Sequence, residues 1–205
     1  MNGEVSYGVK IRNLQKRFKD KIVFKDLTLN FEKNKITCIL GPSGIGKTTL
    51  LNLISGDMNP DRGFITVEEN LISYVFQEDR LIPWFNIYDN ISFVLKSYLD
   101  KKSIEDKINK YLGLVKLQDV KYKFPKELSG GMRRRVALAR AFSYDSNLLL
   151  MDEPFKGLDK ELKYDIMRDF LTLWKEEKKT VIMVTHDEEE AKFLNGNTIR
   201  LRGEL

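Results

Sequence analysis

A chain of 205 residues with 42% hydrophobic and 32% charged side chains is long enough for one good core, or one domain with a subordinate lobe, and is neither disordered nor fibrous in composition. Its net charge of +5 comes from 35 basic and 30 acidic residues, the basic ones scattered in ones, twos and one triple, which describes a solvated surface and argues against a nucleic-acid partner. No apolar run approaches the roughly 18 residues of a membrane span, and MNGEVSYGVKIRN lacks the apolar core and cleavage site of a signal peptide. The expectation is a cytosolic protein unless a partner holds it at a membrane.

The first strong element is VFKDLTLNF, Val23 to Phe31, whose Val23, Leu27, Leu29 and Phe31 fall two or four apart, the period of a half-buried strand. A short apolar run follows, Ile36 to Leu40, holding the single cysteine, Cys38, which reads as a packed, inert thiol. That run stops at GPSGIGKTT, and TTLLNLIS then reads as a helix closed by Gly56. Strand, glycine loop and helix frame the pattern G-x-x-x-x-G-K-[ST]. Its glycines let backbone N–H groups wrap a phosphate chain, Lys47 reaches the terminal phosphates, and the Thr48 hydroxyl ligates Mg²⁺. The segment therefore binds a nucleoside triphosphate.

Phe64 to Val67 and Leu71 to Phe76 read as a strand pair joined by EEN. Gln77 follows, before EDRLIPWF; it is either an ordinary surface glutamine or a neutral amide that accepts from water and offers an oxygen to Mg²⁺. From Ile87 to about Leu117 the pattern turns helical and lysine-rich, predicting a helical lobe. In KELSGGMRRRVALARAF a serine and two glycines, Ser129, Gly130 and Gly131, stand directly before a helical pattern, a second place where N–H groups and a helix dipole favour an anion. Arg133 to Arg135 read there as solvated helix positions.

LLLMDEP carries adjacent carboxylates at the end of an apolar run of the kind buried on both faces of a parallel sheet. Asp152 would hold Mg²⁺ through its water shell and Glu153 would polarise an attacking water, since neighbours on an extended chain point in different directions. After a helical stretch from Lys160 to Lys178 comes a second such strand, VIMV, ending in THDEEEA. His186 is the single histidine; lone histidines are usually structural, but this one ends a buried strand as Asp152 does, and strand C-terminal ends gather ligand contacts in open α/β sheets. It would contact a terminal phosphate or orient the water and Glu153. Asp187 reads as the N-cap of a short helix whose glutamates complement its dipole.

Together these motifs resemble the ATP-binding subunit of an ABC transporter over essentially the whole chain. GPSGIGKT (Gly41, Pro42, Ser43, Gly44, Ile45, Gly46, Lys47, Thr48), with Thr49 after it, resembles the Walker A motif; Gln77 the Q-loop; LSGGM the family signature; LLLMDEP the Walker B motif; GLD at Gly157 to Asp159 the D-loop; and His186 the switch histidine. The resemblance implies an α/β fold: a P-loop NTPase core with a mainly parallel sheet (1–77 and 148–205), an N-terminal antiparallel β portion and an inserted helical subdomain at about 78–147. It implies ATP and Mg²⁺ as ligands, Thr48, Gln77 and Asp152 around the metal, Glu153, His186 and Gln77 in hydrolysis, and Phe18 stacked on adenine, although a strand-end phenylalanine is also a common core residue.

The resemblance implies partners as well. In such proteins Ser129, Gly130 and Gly131 of one subunit complete the ATP site of a second, here a homodimer with ATP or a pair with a paralogue, which accounts for two phosphate-binding segments in one chain. VFQEDRLIPWFNIYDNI with EPFKGLD is most similar to ATPase subunits of bacterial nitrate, sulfonate and taurine importers. That implies a permease docking near Gln77 to Ile91, a separate substrate-binding protein and a position on the inner face of the membrane. Trp84 and Phe85 would line the permease cleft or fill the lobe's own core. Arg134 departs from the family, which often has glutamine there. An ABC-type switch acting on nucleic acid or ribosomes is the alternative; a small-molecule kinase would leave LSGGM and His186 unexplained.

Overall fold

The computed structural model describes residues 6–19 and 21–201. In chain order its elements are β1 (Tyr7–Phe18), β2 (Lys21–Glu32), β3 (Ile36–Leu40), α1 (Lys47–Ser55), β4 (Arg62–Val67), β5 (Ile72–Val75), α2 (Ile87–Leu95), α3 (Lys101–Leu114), α4 (Gly130–Ser143), β6 (Leu148–Asp152), α5 (Lys160–Glu177), β7 (Thr180–Thr185), α6 (Glu188–Phe193) and β8 (Asn197–Arg200). They fall into two compact units. One takes the described residues of Met1–Ile72, Ser146–Glu153 and Lys178–Leu205; the other takes Ser73–Asp145 and Pro154–Glu177.

In the first unit, β6, β7, β3 and β8 run parallel in that order. Every residue of β3, β6 and β7 is buried, so their uninterrupted apolar character follows from cover on both faces. The helix α1 buries Leu50, Leu51, Leu53 and Ile54. A second, antiparallel sheet has the order β2-β1-β4. Val9 stands between Phe31 and Val67, and Ile11 between Leu29 and Ile65, so β1 is the spine of this sheet. The expected strand pair of 64–67 with 71–76 does not form: β4 aligns its Ile65 and Val67 with β1, and β5 lies outside this sheet. Asp61 fixes the far end of β1, accepting from the Arg17 N–H at 2.7 Å and from Lys16 Nζ at 3.0 Å. The Arg17 backbone bond is the main reason its carboxyl is held below the usual range.

The second unit is helical. Asn86, Asp100, Ser129 and Asp159 each accept a backbone N–H from the first turn of α2, α3, α4 and α5, the side-chain caps that those residue types favour. The sequence boundaries of 78–147 leave α5 with the core, whereas the helix groups with α3 and α4. Its Phe170 stacks on Phe142 at 4.9 Å, and its Glu177 accepts from the Tyr111 hydroxyl at 2.9 Å.

Cys38 is fully buried in β3. Desolvation, with a smaller push from the carboxylate of Glu190, raises its thiol to about 12. The thiolate needed for alkylation is therefore nearly absent at pH 8 in the folded chain. Native protein treated with iodoacetamide at pH 8 should stay unlabelled by mass spectrometry and take one label per chain once unfolded in guanidinium; stoichiometric labelling of the native protein would contradict this packing.

Candidate active site

The loop between β3 and α1 is shaped by two glycines with left-handed backbones, Gly44 at φ +79° and Gly46 at φ +107°. At Gly46 a side chain is also sterically excluded, since a Cβ would sit 2.4 Å from Val23 Cγ1 and 3.0 Å from the Phe24 ring. Lys47 is buried and folds back over the loop, its Nζ donating to the Gly41 carbonyl at 2.7 Å and the Pro42 carbonyl at 2.9 Å. Pro42, Ser43, Gly44 and Thr48 are exposed, while Gly41, Ile45, Gly46 and Thr49 are half-buried. No side chain among the described residues caps α1, and Leu50 is the N–H that bonds back to Gly46 O at 2.8 Å. The N–H groups at the start of the helix and the Lys47 ammonium thus surround an uncapped, electropositive helix end.

Parallel register sets what stands beside this loop. Asp152 of β6 pairs with Val184 of β7, and Thr185 of β7 pairs with Leu40 of β3. The three strands end together, and with adjacent strands about 4.8 Å apart the Asp152 backbone lies about 10 Å from the β3 terminus. Asp152 is buried, 2% exposed. At Glu153 the backbone turns into the left-handed region, φ +44°, and the Glu153 N–H donates to Val184 O at 2.9 Å. This turn aims Glu153 at β7, where its Oε1 meets His186 Nδ1 at 3.1 Å. The Glu153 side chain is 11% exposed and that of His186 58%, so the pair joins a largely covered carboxylate to a ring open to solvent.

The hydroxyl of Thr185 holds the β7 terminus in place: it donates to Glu190 Oε2 at 2.7 Å and accepts from the Asp187 N–H at 3.1 Å. Asp187 caps α6 as expected, accepting from the Glu189 and Glu190 N–H groups. Phe18 ends β1 with its ring 44% exposed and Lys16 Nζ 5.6 Å from the ring centroid. It is not a core residue.

The other sequence-marked residues belong to the helical unit. Gln77 is exposed in a non-helical, non-strand segment. Ser129 caps α4, accepting the Met132 N–H at 3.3 Å; Ser129 and Gly130 are exposed and Gly131 is half-buried. Of the three arginines expected to be solvated, Arg134 is buried, whereas Arg133, with its side chain 42% exposed, and Arg135 are half-buried and also bind backbone carbonyls. Arg133 donates to Leu128 O at 2.9 Å, Arg135 to Val115 O at 2.9 Å and Lys116 O at 3.1 Å, and Arg134 is 5% exposed. Guanidinium groups carry five donors and so satisfy carbonyls that no helix or strand pairs. A signal for Arg134 was present, because it sits on the same helical stripe as Leu138 and Ala141.

Asn90 was also missed. It is buried on the apolar face of α2, donates to the carbonyls of Ile82, Phe85 and Asn86 at 3.0–3.1 Å and accepts the Ile82 N–H at 2.8 Å. One amide thus shapes the loop that presents Trp84, which is 74% exposed, while Phe85 packs on Phe93 with ring centroids 5.9 Å apart. Of the two readings for this pair, Trp84 is a surface residue and Phe85 is half-buried.

The ABC transporter family model matches residues 24–156. The aliphatic sulfonates import ATP-binding protein of Bacillus cereus is 38% identical over 184 residues, covering 86% of this chain and 72% of its own. The taurine import ATP-binding protein of Yersinia pestis bv. Antiqua is 37% identical over 199 residues, covering 93% and 78%. The spermidine/putrescine import ATP-binding protein of Acetivibrio thermocellus is 40% identical over 202 residues, 93% of this chain, and the chain spans 57% of that relative's length. Among solved structures, a dimeric bacterial ABC transporter cassette superposes with a TM-score of 0.86 at 29% identity, over 94% of both chains. A dimeric post-hydrolysis cassette bound to ADP and Pi gives 0.85 at 29% identity, over 95% of this chain and 94% of its own. The chain belongs to the ABC transporter family and carries that family's ATP-hydrolysing domain.

Proposed function

We propose that this chain is the ATP-hydrolysing subunit of a bacterial importer for a small organic anion of the sulfonate class, acting as a homodimer beneath a membrane permease. The observation that carries the reading is the convergence of the glycine loop, Asp152, Glu153 and His186 on one end of one parallel sheet. The names of the sulfonate and taurine relatives support the substrate class, and they do not favour a switch acting on nucleic acid or ribosomes. Among the described residues no helix is long and apolar enough to cross a membrane, so attachment through a permease, with a separate substrate-binding protein outside, completes the proposal.

In this reading Lys47 leaves the carbonyls of Gly41 and Pro42 for the terminal phosphates, and the α1 N–H groups take the phosphate oxygens. Phe18 stacks on adenine. Thr48, Asp152 and Gln77 are the residues that would hold Mg²⁺, and the ion would supply neutralisation of phosphate charge. The donor set fits that ion: the carboxylate of Asp152 and the hydroxyl of Thr48 are hard oxygen donors, and Mg²⁺ is usually held by one or two carboxylates, waters and substrate phosphates. Glu153 takes the proton of the attacking water, and His186, in contact with Oε1, keeps that carboxylate oriented. Ser129, Gly130 and Gly131 contact the ATP of the second subunit. Those contacts favour the closed dimer, and a switch from 1:99 to 99:1 needs roughly 5.5 kcal/mol.

Two outcomes test this reading. Glu153→Gln should lower kcat for ATP hydrolysis by about 10²- to 10⁴-fold with ATP affinity within a few-fold of wild type; normal turnover would remove Glu153 from the chemistry. Trp84→Ala, an exposed position, should leave the hydrolysis of the isolated chain unchanged and weaken permease binding, because aromatic residues dominate interface energetics. Pull-down with the cognate permease measures it, and undiminished capture would place the docking surface elsewhere.

A further inference from the structure

Two arginines of α4 bind four carbonyls in the five residues from Phe76 to Arg80. Arg134 Nη1 donates to Phe76 O and to Gln77 O at 3.2 Å; Arg140 Nη1 donates to Arg80 O at 2.9 Å and Nη2 to Asp79 O at 3.1 Å. Arg134 Nε reaches further, to Pro154 O at 2.8 Å, the peptide immediately after Glu153 in the chain. The held segment has no helix or strand of its own, and Arg80 carries a left-handed backbone at φ +44°. Its shape therefore depends on side-chain donors more than on a backbone ladder. Asp79 approaches Arg134 Nη1 at 3.8 Å and Arg133 Nε at 4.0 Å, adding charge to the same knot. The Gln77 side chain, by contrast, is left exposed.

We propose that Arg134 is a positioning residue for hydrolysis: its buried guanidinium ties the backbone at Gln77 and at Pro154 to the helix that begins at Ser129, and so sets where the Gln77 amide is presented. The inference rests on the reading of Gln77 as a ligand of water and Mg²⁺. A glutamine at position 134 has two N–H donors on one nitrogen, whereas arginine's planar fork serves three carbonyls on two segments at once. Displacing a positioned group by about 1 Å costs up to about 10²-fold in rate, which sets the size of the expected effect.

The test is a double-mutant cycle on the full chain, reading kcat, KM for ATP and the Mg²⁺ concentration at half-maximal rate. Arg134→Leu should lower kcat by about 10- to 100-fold with KM for ATP within about twofold, and raise the Mg²⁺ requirement as Gln77→Ala does. Arg134→Gln should recover a large part of the loss. In the Gln77→Ala background Arg134→Leu should add little, because the group it positions is gone. Equal losses in both backgrounds, with an unchanged Mg²⁺ requirement, would overturn the proposal and leave Gln77's role intact. Wild-type kcat in Gln77→Ala alone would instead overturn the reading of Gln77, and the proposal with it. Thermal unfolding is recorded for each variant; where Arg134→Leu does not fold, Arg134→Lys, which keeps the charge but not the fork, carries the same cycle.

Discussion

The register of the parallel strands is the constraint on which the catalytic reading depends. Hydrogen bonding fixes Asp152 opposite Val184 and Thr185 opposite Leu40, so the Walker B carboxylates, His186 and the glycine loop reach the same sheet edge together. A slip of one residue in β7 would carry His186 away from Glu153 and reverse which face each of its neighbours presents. That register is costly to disturb because β3, β6 and β7 are buried along their whole length. The apolar core thus acts as the ruler for the polar site. The strain at the edge is local: Glu153 adopts a left-handed backbone, a conformation worth of order 1–3 kcal/mol, and the return is a carboxylate aimed across to β7.

The helical unit uses a different device. Its important loops carry little regular secondary structure and are shaped by a few polar side chains, the buried Asn90 for the loop before α2 and the buried Arg134 with the half-buried Arg140 for Phe76 to Arg80. Such loops can present exposed groups, Trp84 and Gln77, without burying unsatisfied carbonyls. Arg134 and Arg140 both donate to backbone oxygens of this loop, and the carboxylate of Asp79 stands beside them. Burial outweighs the pull of the arginines at that carboxylate and raises its pKa, while Arg140 is lowered by burial as well.

Much of this was legible in the sequence because short motifs with a mechanism sit on elements with a clear period. The run ITCIL, the loop GPSGIGKT and the helix TTLLNLIS appear within a residue of their predicted bounds, and Asp187 caps its helix as its neighbours suggested. Less legible was β1. A left-handed residue at Asn13 and the bulge between Ile11 and Leu14 break the two-residue period, and charged residues fill the other face. The pairing of β4 was misread because short strands joined by a turn suggest a hairpin, whereas the partner of β4 lies some fifty residues earlier. Arg134 was masked by composition: arginine in a run of three reads as surface, which outweighed its place on the stripe of Leu138 and Ala141, and the carbonyls of Phe76, Gln77 and Pro154 that converge on it lie far away in sequence.

The central claim is that the segment Ser129 to Gly131 completes an ATP site in a second copy of the chain. The most direct measurement is the mass in solution of Glu153→Gln, by light scattering, with and without ATP and Mg²⁺. A monomer that becomes a dimer only with nucleotide is the predicted result. A protein that binds ATP, retains Mg²⁺ and remains monomeric at all concentrations would contradict the account.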